Sequence, residues 1–159
     1  MKSIIVYYSY GGNTRSIAEF IRENLNADIC EIQTVIPYTG SYNDIVTQGR
    51  QEVDNGFMPD LKPIAVDFSQ YDIILLGSPV WWYTFAPAMN SFLHHTDLSG
   101  KTIYPFATNG GWIGHTFKDF AKACQNSNVK TCLNVRFNEA NQLTSNKEIQ
   151  KWIDTIRKD

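Results

Sequence analysis

Apolar positions along this chain come as short, β-branched runs that alternate with stretches repeating every three to four residues. The first run, "IIVYY" at residues 4–8, is closed by Ser9 and Gly11 and predicts a buried strand. Beyond it, Ile17, Phe20, Ile21 and Leu25 share one face of a helix that Asn13 or Thr14 can cap. "ADICEI" predicts a second strand. Residues 37–63 are less regular, with a helix over 42–53 set between two segments bounded by proline and glycine. "YDIILLGS", residues 71–78, is the most strand-like stretch of all, and "APAMNSFLHH" predicts a helix with Pro87 in its first turn, where proline is tolerated. "KTIYPFAT", "HTFKDFAKAC" and "KTCLNVRF" then predict strand, helix and strand. In the last helix Ser145 and Glu148 form a capping box, and Ile149, Trp152, Ile153 and Ile156 repeat at i, i+3, i+4 and i+7.

Strand and helix thus alternate about five times. That pattern predicts an α/β fold: a doubly wound parallel sheet with helices on both faces, in one domain over residues 1–159. Such sheets bind ligands beyond the C-terminal ends of their strands. The connections to watch are therefore residues 9–14, 78–85 and 108–115.

Composition narrows the classes. A net charge of −2 and the lack of a basic cluster exclude a nucleic-acid footprint. "MKSIIVYY" lacks the apolar core and cleavage site of a secretion signal, and Cys30, Cys124 and Cys132 are scattered, so a cytoplasmic protein with buried thiols is expected. No Asp, Glu, Lys or Arg occurs over residues 73–96, but Gly77, Pro79, Pro87 and Asn90 break that stretch and no membrane span is expected. No residues have metal-ligand spacing, and no catalytic side chain is assigned.

The first connection reads as an anion site. A helix N-terminus offers free N–H groups; Ser9, Asn13 and Thr14 add donors, Gly11 and Gly12 clear the backbone, and Tyr10 lies between. It has neither the lysine of GxxxxGK(S/T) nor the spacing of GxGxxG. The alternative is a polar strand-to-helix turn. The second connection, "SPVWWY", brings Ser78, Pro79, Val80, Trp81, Trp82 and Tyr83 to the tip of the central strand. Exposed aromatics need something flat or apolar to cover; a lid on the protein's own core, or an interface with a second copy, are the alternatives. The third connection offers Thr108, Asn109, Gly110, Gly111, Trp112, Gly114 and His115, whose glycines let backbone amides approach a ring edge. His115 can donate to a bound ligand or simply open its helix, while His94 and His95 suit the negative end of theirs.

An anion cradle, an aromatic platform and a glycine-rich edge at one end of a sheet describe a flavin mononucleotide (FMN) pocket. At these residues the sequence resembles the flavodoxin family over nearly its whole length. "SYGGNT" is similar to the family's phosphate loop at Ser9, Gly12, Asn13 and Thr14; "GSPVWW" and "FATNGGWIG" fill the places of its two flavin loops. Together they look closest to flavodoxin-like flavin or quinone reductases. The resemblance implies five parallel strands in the order 2-1-3-4-5 with FMN at the switch point, an order that comes with the family and not from the pattern.

Two departures separate the chain from carrier flavodoxins. Carboxylates usually ring the carriers' flavin, whereas residues 73–96 and 102–117 are free of Asp, Glu, Lys and Arg. Trp82 stands where carriers often have glycine, and a side chain disfavours the positive φ of the flipped peptide that steadies their one-electron-reduced state. Two functions follow as expectations. One is two-electron transfer through FMN from reduced nicotinamide to a small planar acceptor such as a quinone or flavin. The other is a one-electron carrier shuttling between protein partners, served by a reductase. Tyr38 and Tyr42 can overhang the flavin, and Arg15 can face the phosphate or solvent.

Overall fold

The computed structural model describes residues 1–159. Its strands are β1 (Ser3–Tyr8), β2 (Asp28–Ile32), β3 (Ile73–Trp81), β4 (Thr84–Phe85), β5 (Thr102–Asn109), β6 (Asn128–Val129), β7 (Leu133–Asn138) and β8 (Asn141–Gln142). Its helices are α1 (Asn13–Leu25), α2 (Tyr42–Asp54), α3 (Pro87–His95), α4 (Thr116–Ala123) and α5 (Asn146–Arg157). The sheet runs β2-β1-β3-β5-β7-β8, with β4 added to β3 and β6 to β5.

This corrects the five-stranded, all-parallel sheet expected above. Eight strands form, and β4 on β3 and β8 on β7 are antiparallel. Of the three additions, β6 is a two-residue parallel pairing on β5, while β4 and β8 are hairpins, in which a chain leaving a strand pairs at once with its own backbone. No crossover is needed, so the alternation of strand and helix carries no trace of them.

Residues alternate between the two faces of β1, β3 and β5. Ile5, Tyr7, Leu75 and Phe106 pack under α1 and α5, while Ile4, Val6, Tyr8, Leu76 and Ile103 pack with α3 and α4 residues such as Phe92 and Phe120. Burial on both faces explains the unbroken apolar runs. In β7, Leu133, Val135 and Phe137 are buried while Asn134, Arg136 and Asn138 are exposed, so one face of this strand looks outward.

Helix ends differ from expectation in instructive ways. Gly12 is the N-cap of α1, and neither Asn13 nor Thr14 caps it. At α5, Ser145 Oγ accepts from the Glu148 N–H without the reciprocal half of a box. The complete capping box is at α2, where Ser41 and Asp44 satisfy each other's N–H groups.

Candidate functional site

The connections after β1, β3 and β5 meet at the C-terminal end of the parallel strands. In the first, Gly11 and Gly12 have φ of 82° and 99°, and a Cβ on either would meet nothing within 4 Å. Backbone conformation, and not crowding, asks for glycine here, which leaves a bare turn facing open space. The N-terminus of α1 behind it has no side-chain cap and no acidic residue in its first turn. Ser9 Oγ accepts from the Arg15 N–H at 3.1 Å, and the Asn13 amide donates to the Glu139 carbonyl at 2.9 Å. Thr14 turns inward: it is 1% exposed, and its hydroxyl bonds that of Thr108 at 2.7 Å, tying the turn to β5.

Arg15 faces away from the turn. Its guanidinium forks onto Glu31 at 2.6 and 3.1 Å, and the Tyr7 hydroxyl donates to the same carboxylate at 3.0 Å. Burial alone would push Glu31 up, but the hydrogen bonds from Arg15, Tyr7 and Gln33 hold it below the usual glutamate range. Burial raises the Tyr7 phenol.

The second connection is a tight hairpin. β3 runs on to Trp81, Val80 pairs with Phe85, and Trp81 pairs with Thr84. The turn is Trp82-Tyr83, at φ of 50° and 71°. A two-residue hairpin of this hand needs positive φ at both central positions, and side chains there cost about 1–2 kcal/mol each. The expectation that tryptophan would keep the backbone out of this region is therefore overturned. The strain is held by contacts on every side. The Trp82 indole N–H donates to the Val46 carbonyl at 2.9 Å and Arg50 lies over its ring at 5.0 Å. The Tyr83 carbonyl accepts from the His115 N–H at 2.9 Å, while the Thr116 hydroxyl beside it donates to the Ile113 carbonyl at 2.6 Å. Gly114 lies so close that a Cβ on it would be 2.4 Å from that of Tyr83. At the base, Ser78 Oγ accepts from the Ala86 N–H and donates to the Pro79 carbonyl, so this hydroxyl serves the hairpin.

In the third connection Asn109 acts as an internal brace. Its Nδ2 donates to Asn134 at 2.6 Å and its Oδ1 accepts from the Gly111 N–H at 2.8 Å. The Arg136 guanidinium, from β7, packs 3.2 Å from where a Gly111 Cβ would stand. The charge-free loops thus acquire a cation from a neighbouring strand. Sequence reading missed Arg136; its outward place in the alternation of Leu133, Val135 and Phe137 was the available signal. His115 begins α4, with Nδ1 at 2.5 Å from Asp119.

Between the second and third connections lies a cleft of about 240 Å³ lined by Val80, Trp82, Tyr83, Asn109, Gly110 and Trp112. Tyr10, Tyr83 and Trp112 are the exposed aromatics at this end, at 44%, 49% and 73%. Trp81 is instead enclosed by the ring edges of Tyr8, Tyr10 and Tyr38. Tyr38 packs there and donates to Glu52, while Tyr42 is largely exposed. A helix start opened by Gly11 and Gly12 beside a flat aromatic cleft fits a ring system with an anionic tail. His94 and His95 bond the carbonyls of Asn90 and Ser91 on their own helix. Burial pushes the Cys124 and Cys132 thiols up to about 11, away from reactivity. No group of three or more His, Cys, Asp or Glu residues is arranged for a metal, and no helix is long and apolar enough to cross a membrane.

Residues 2–156 match the model of the flavodoxin family. No curated protein matches the chain. Among solved structures it is similar to a proposed flavoprotein from Bacteroides eggerthii, with 27% identity over 98% of each chain and a TM-score of 0.83. One from Bacteroides uniformis shows 25% identity over 96% of this chain and 97% of that one, also with a TM-score of 0.83. A Lactobacillus acidophilus flavoprotein, solved in complex with FMN, shows 22% identity over 95% and 97%, with a TM-score of 0.77. A match that takes in β1 through α5, on a sheet whose three connections meet as described, places the chain in the flavodoxin family, as an FMN-binding redox protein.

Proposed function

We propose that this protein moves electrons two at a time, from reduced nicotinamide through FMN to a small planar acceptor such as a quinone or a flavin. The observation that carries this reading is the pinned hairpin. Carrier flavodoxins use a peptide beside the flavin that turns over on one-electron reduction. Here the Tyr83 carbonyl already accepts from the His115 N–H, and the Trp82 indole N–H donates to the Val46 carbonyl. Turning the peptide after Tyr83 would break the bond from His115, worth about 0.5–1.5 kcal/mol, in a turn whose other residue is anchored by its indole. The stiffness comes from anchoring, in place of the steric refusal read from the sequence.

In this reading the N–H groups of Asn13 and Thr14, with Ser9, Gly11 and Gly12, receive the phosphate. Tyr10, Tyr83 and Trp112 cover the ring, and Val80, Trp82, Asn109 and Gly110 wall it. Arg136 beside Gly111 favours negative charge on the reduced ring. FMN supplies the redox chemistry, and the chain supplies grip, orientation and charge. The reading includes a single domain working in the cytoplasm.

Stepwise anaerobic photoreduction followed by absorbance tests it. The expected result is one conversion from oxidised to fully reduced spectrum. A long-wavelength band that rises and falls midway would overturn it and return the protein to one-electron shuttling between protein partners.

A further inference from the structure

Two buried hydroxyls meet beneath the first connection. Tyr104, Phe106 and Thr108 follow one another on the face of β5 that packs under α1, and Thr108 is 4% exposed. The alternation of that strand would accept an apolar residue at the third position as it accepts rings at the first two. Thr14, in the first turn of α1, is 1% exposed. A helical threonine commonly turns its hydroxyl back onto a carbonyl of the preceding turn. Thr14 turns to β5 instead, and the two Oγ1 atoms are 2.7 Å apart. Neither hydroxyl has a second partner in the protein.

Two hydroxyls bring two hydrogens, and their mutual bond uses one. The second hydrogen lies in a closed site with no acceptor from the protein, and a buried donor left unmade is costly. The group that satisfies it must accept, and must arrive from a side the protein leaves open. The turn just before Thr14 is such a side, since a Cβ on Gly11 or Gly12 would meet nothing within 4 Å. A phosphate dianion only accepts hydrogen bonds. It therefore fixes the direction of the whole series: Thr14 donates outward, and the bond between the hydroxyls must then run from Thr108 to Thr14.

We propose that Thr108 is a positioning residue for FMN: its hydroxyl donates to Thr14 Oγ1, holds the Thr14 rotamer and aims the Thr14 hydrogen at the phosphate. The proposal rests on the phosphate placement at the first connection given above. Hydrogen bonds in series polarise one another, and a charged acceptor makes the last bond of the series the strongest. Thr108 is also the last buried residue before the third connection, so one bond ties the phosphate turn to the strand that carries the loop beside the ring. The arrangement selects FMN over riboflavin beyond simple charge. Riboflavin ends in a hydroxyl that both donates and accepts, and it leaves the direction of the series unset.

The test compares FMN with riboflavin by fluorescence titration of the FMN-free chain. Wild type is expected to hold FMN the more tightly; equal affinities would sink the phosphate placement itself. Thr108→Val is expected to lower the ratio of FMN to riboflavin affinity by about 3–10-fold. Thr108→Ser, which keeps the hydroxyl, should restore most of that ratio. A wild-type ratio in Thr108→Val, or no restoration by serine, would mean that the pair only fastens α1 to β5. Either result overturns the role of Thr108 and leaves the phosphate placement standing. Thr14→Val should lower the ratio at least as far, and adding Thr108→Val to it should lower it no more, because Thr108 acts through Thr14. A further loss in the double variant would overturn the series. Should the valine variant fail to fold, Thr108→Ala removes the same hydroxyl without crowding and carries the same expected ratio.

Discussion

The turns at Gly11-Gly12 and at Trp82-Tyr83 solve one conformational problem in opposite ways. Both require positive φ at two successive residues. The first uses glycines with nothing within 4 Å of where a Cβ would be; the second uses two of the bulkiest residues, Trp82 held by its indole N–H and Tyr83 by its backbone carbonyl. Bare backbone is useful where a ligand must come close and the protein must not fill the space. Strained, bulky backbone is useful where the protein must hold a shape by itself, because the Trp82 side chain that costs strain also supplies an anchor. One turn is built to be completed by something else, and the other is complete without it.

The largest effect is expected from wedging the complete turn. G114A puts a methyl group 2.4 Å from the Tyr83 Cβ at a position with φ of 55°. Overpacking and backbone strain together should cost roughly 2–4 kcal/mol in urea unfolding of the FMN-free protein. A loss below about 1 kcal/mol would show that the hairpin yields easily, and the contrast between the turns would fail.

A smaller effect is expected at the open turn. G12A meets no atom, so only its φ of 99° is strained, and stability should fall by about 1–2 kcal/mol. Its diagnostic effect is on ligands. FMN affinity should fall more than that of riboflavin, which lacks the phosphate. Equal losses for the two would move the phosphate away from Gly12.

The smallest effect concerns the ion pair flanking the open turn. Arg15 and Glu31 are partly exposed, so R15A should cost under about 1 kcal/mol at pH 7. The folded carboxylate has a lowered pKa, so its contribution is present above the ordinary glutamate value of about 4.3 and is lost as pH falls through the lowered one. The gap between wild type and R15A should therefore close in acid. A gap that persists below both values would mean that Arg15 stabilises through packing and not through Glu31.

What the sequence by itself determined was whatever local chemistry repeats or punctuates. The runs around Ile4 and Ile74 and the stripe of Ile149, Trp152, Ile153 and Ile156 are periodic. The loop glycines announce where the chain must turn, and "SYGGNT" with the two later loops was enough to bring out FMN and the family. The tertiary structure decided what depends on residues distant in the chain. The Trp82-Tyr83 turn carries no Asn or Gly to announce it, because Val46, Arg50, Gly114 and His115 stabilise it from elsewhere. The Thr14 hydroxyl faces Thr108, Arg15 faces Glu31, and Arg136 reaches Gly111 across strands that only the sheet brings together. The extra strands β4, β6 and β8 pair over two residues each, too short for any period to show. Periodicity records which face a residue buries; partners across the fold are set by packing, which leaves no local mark.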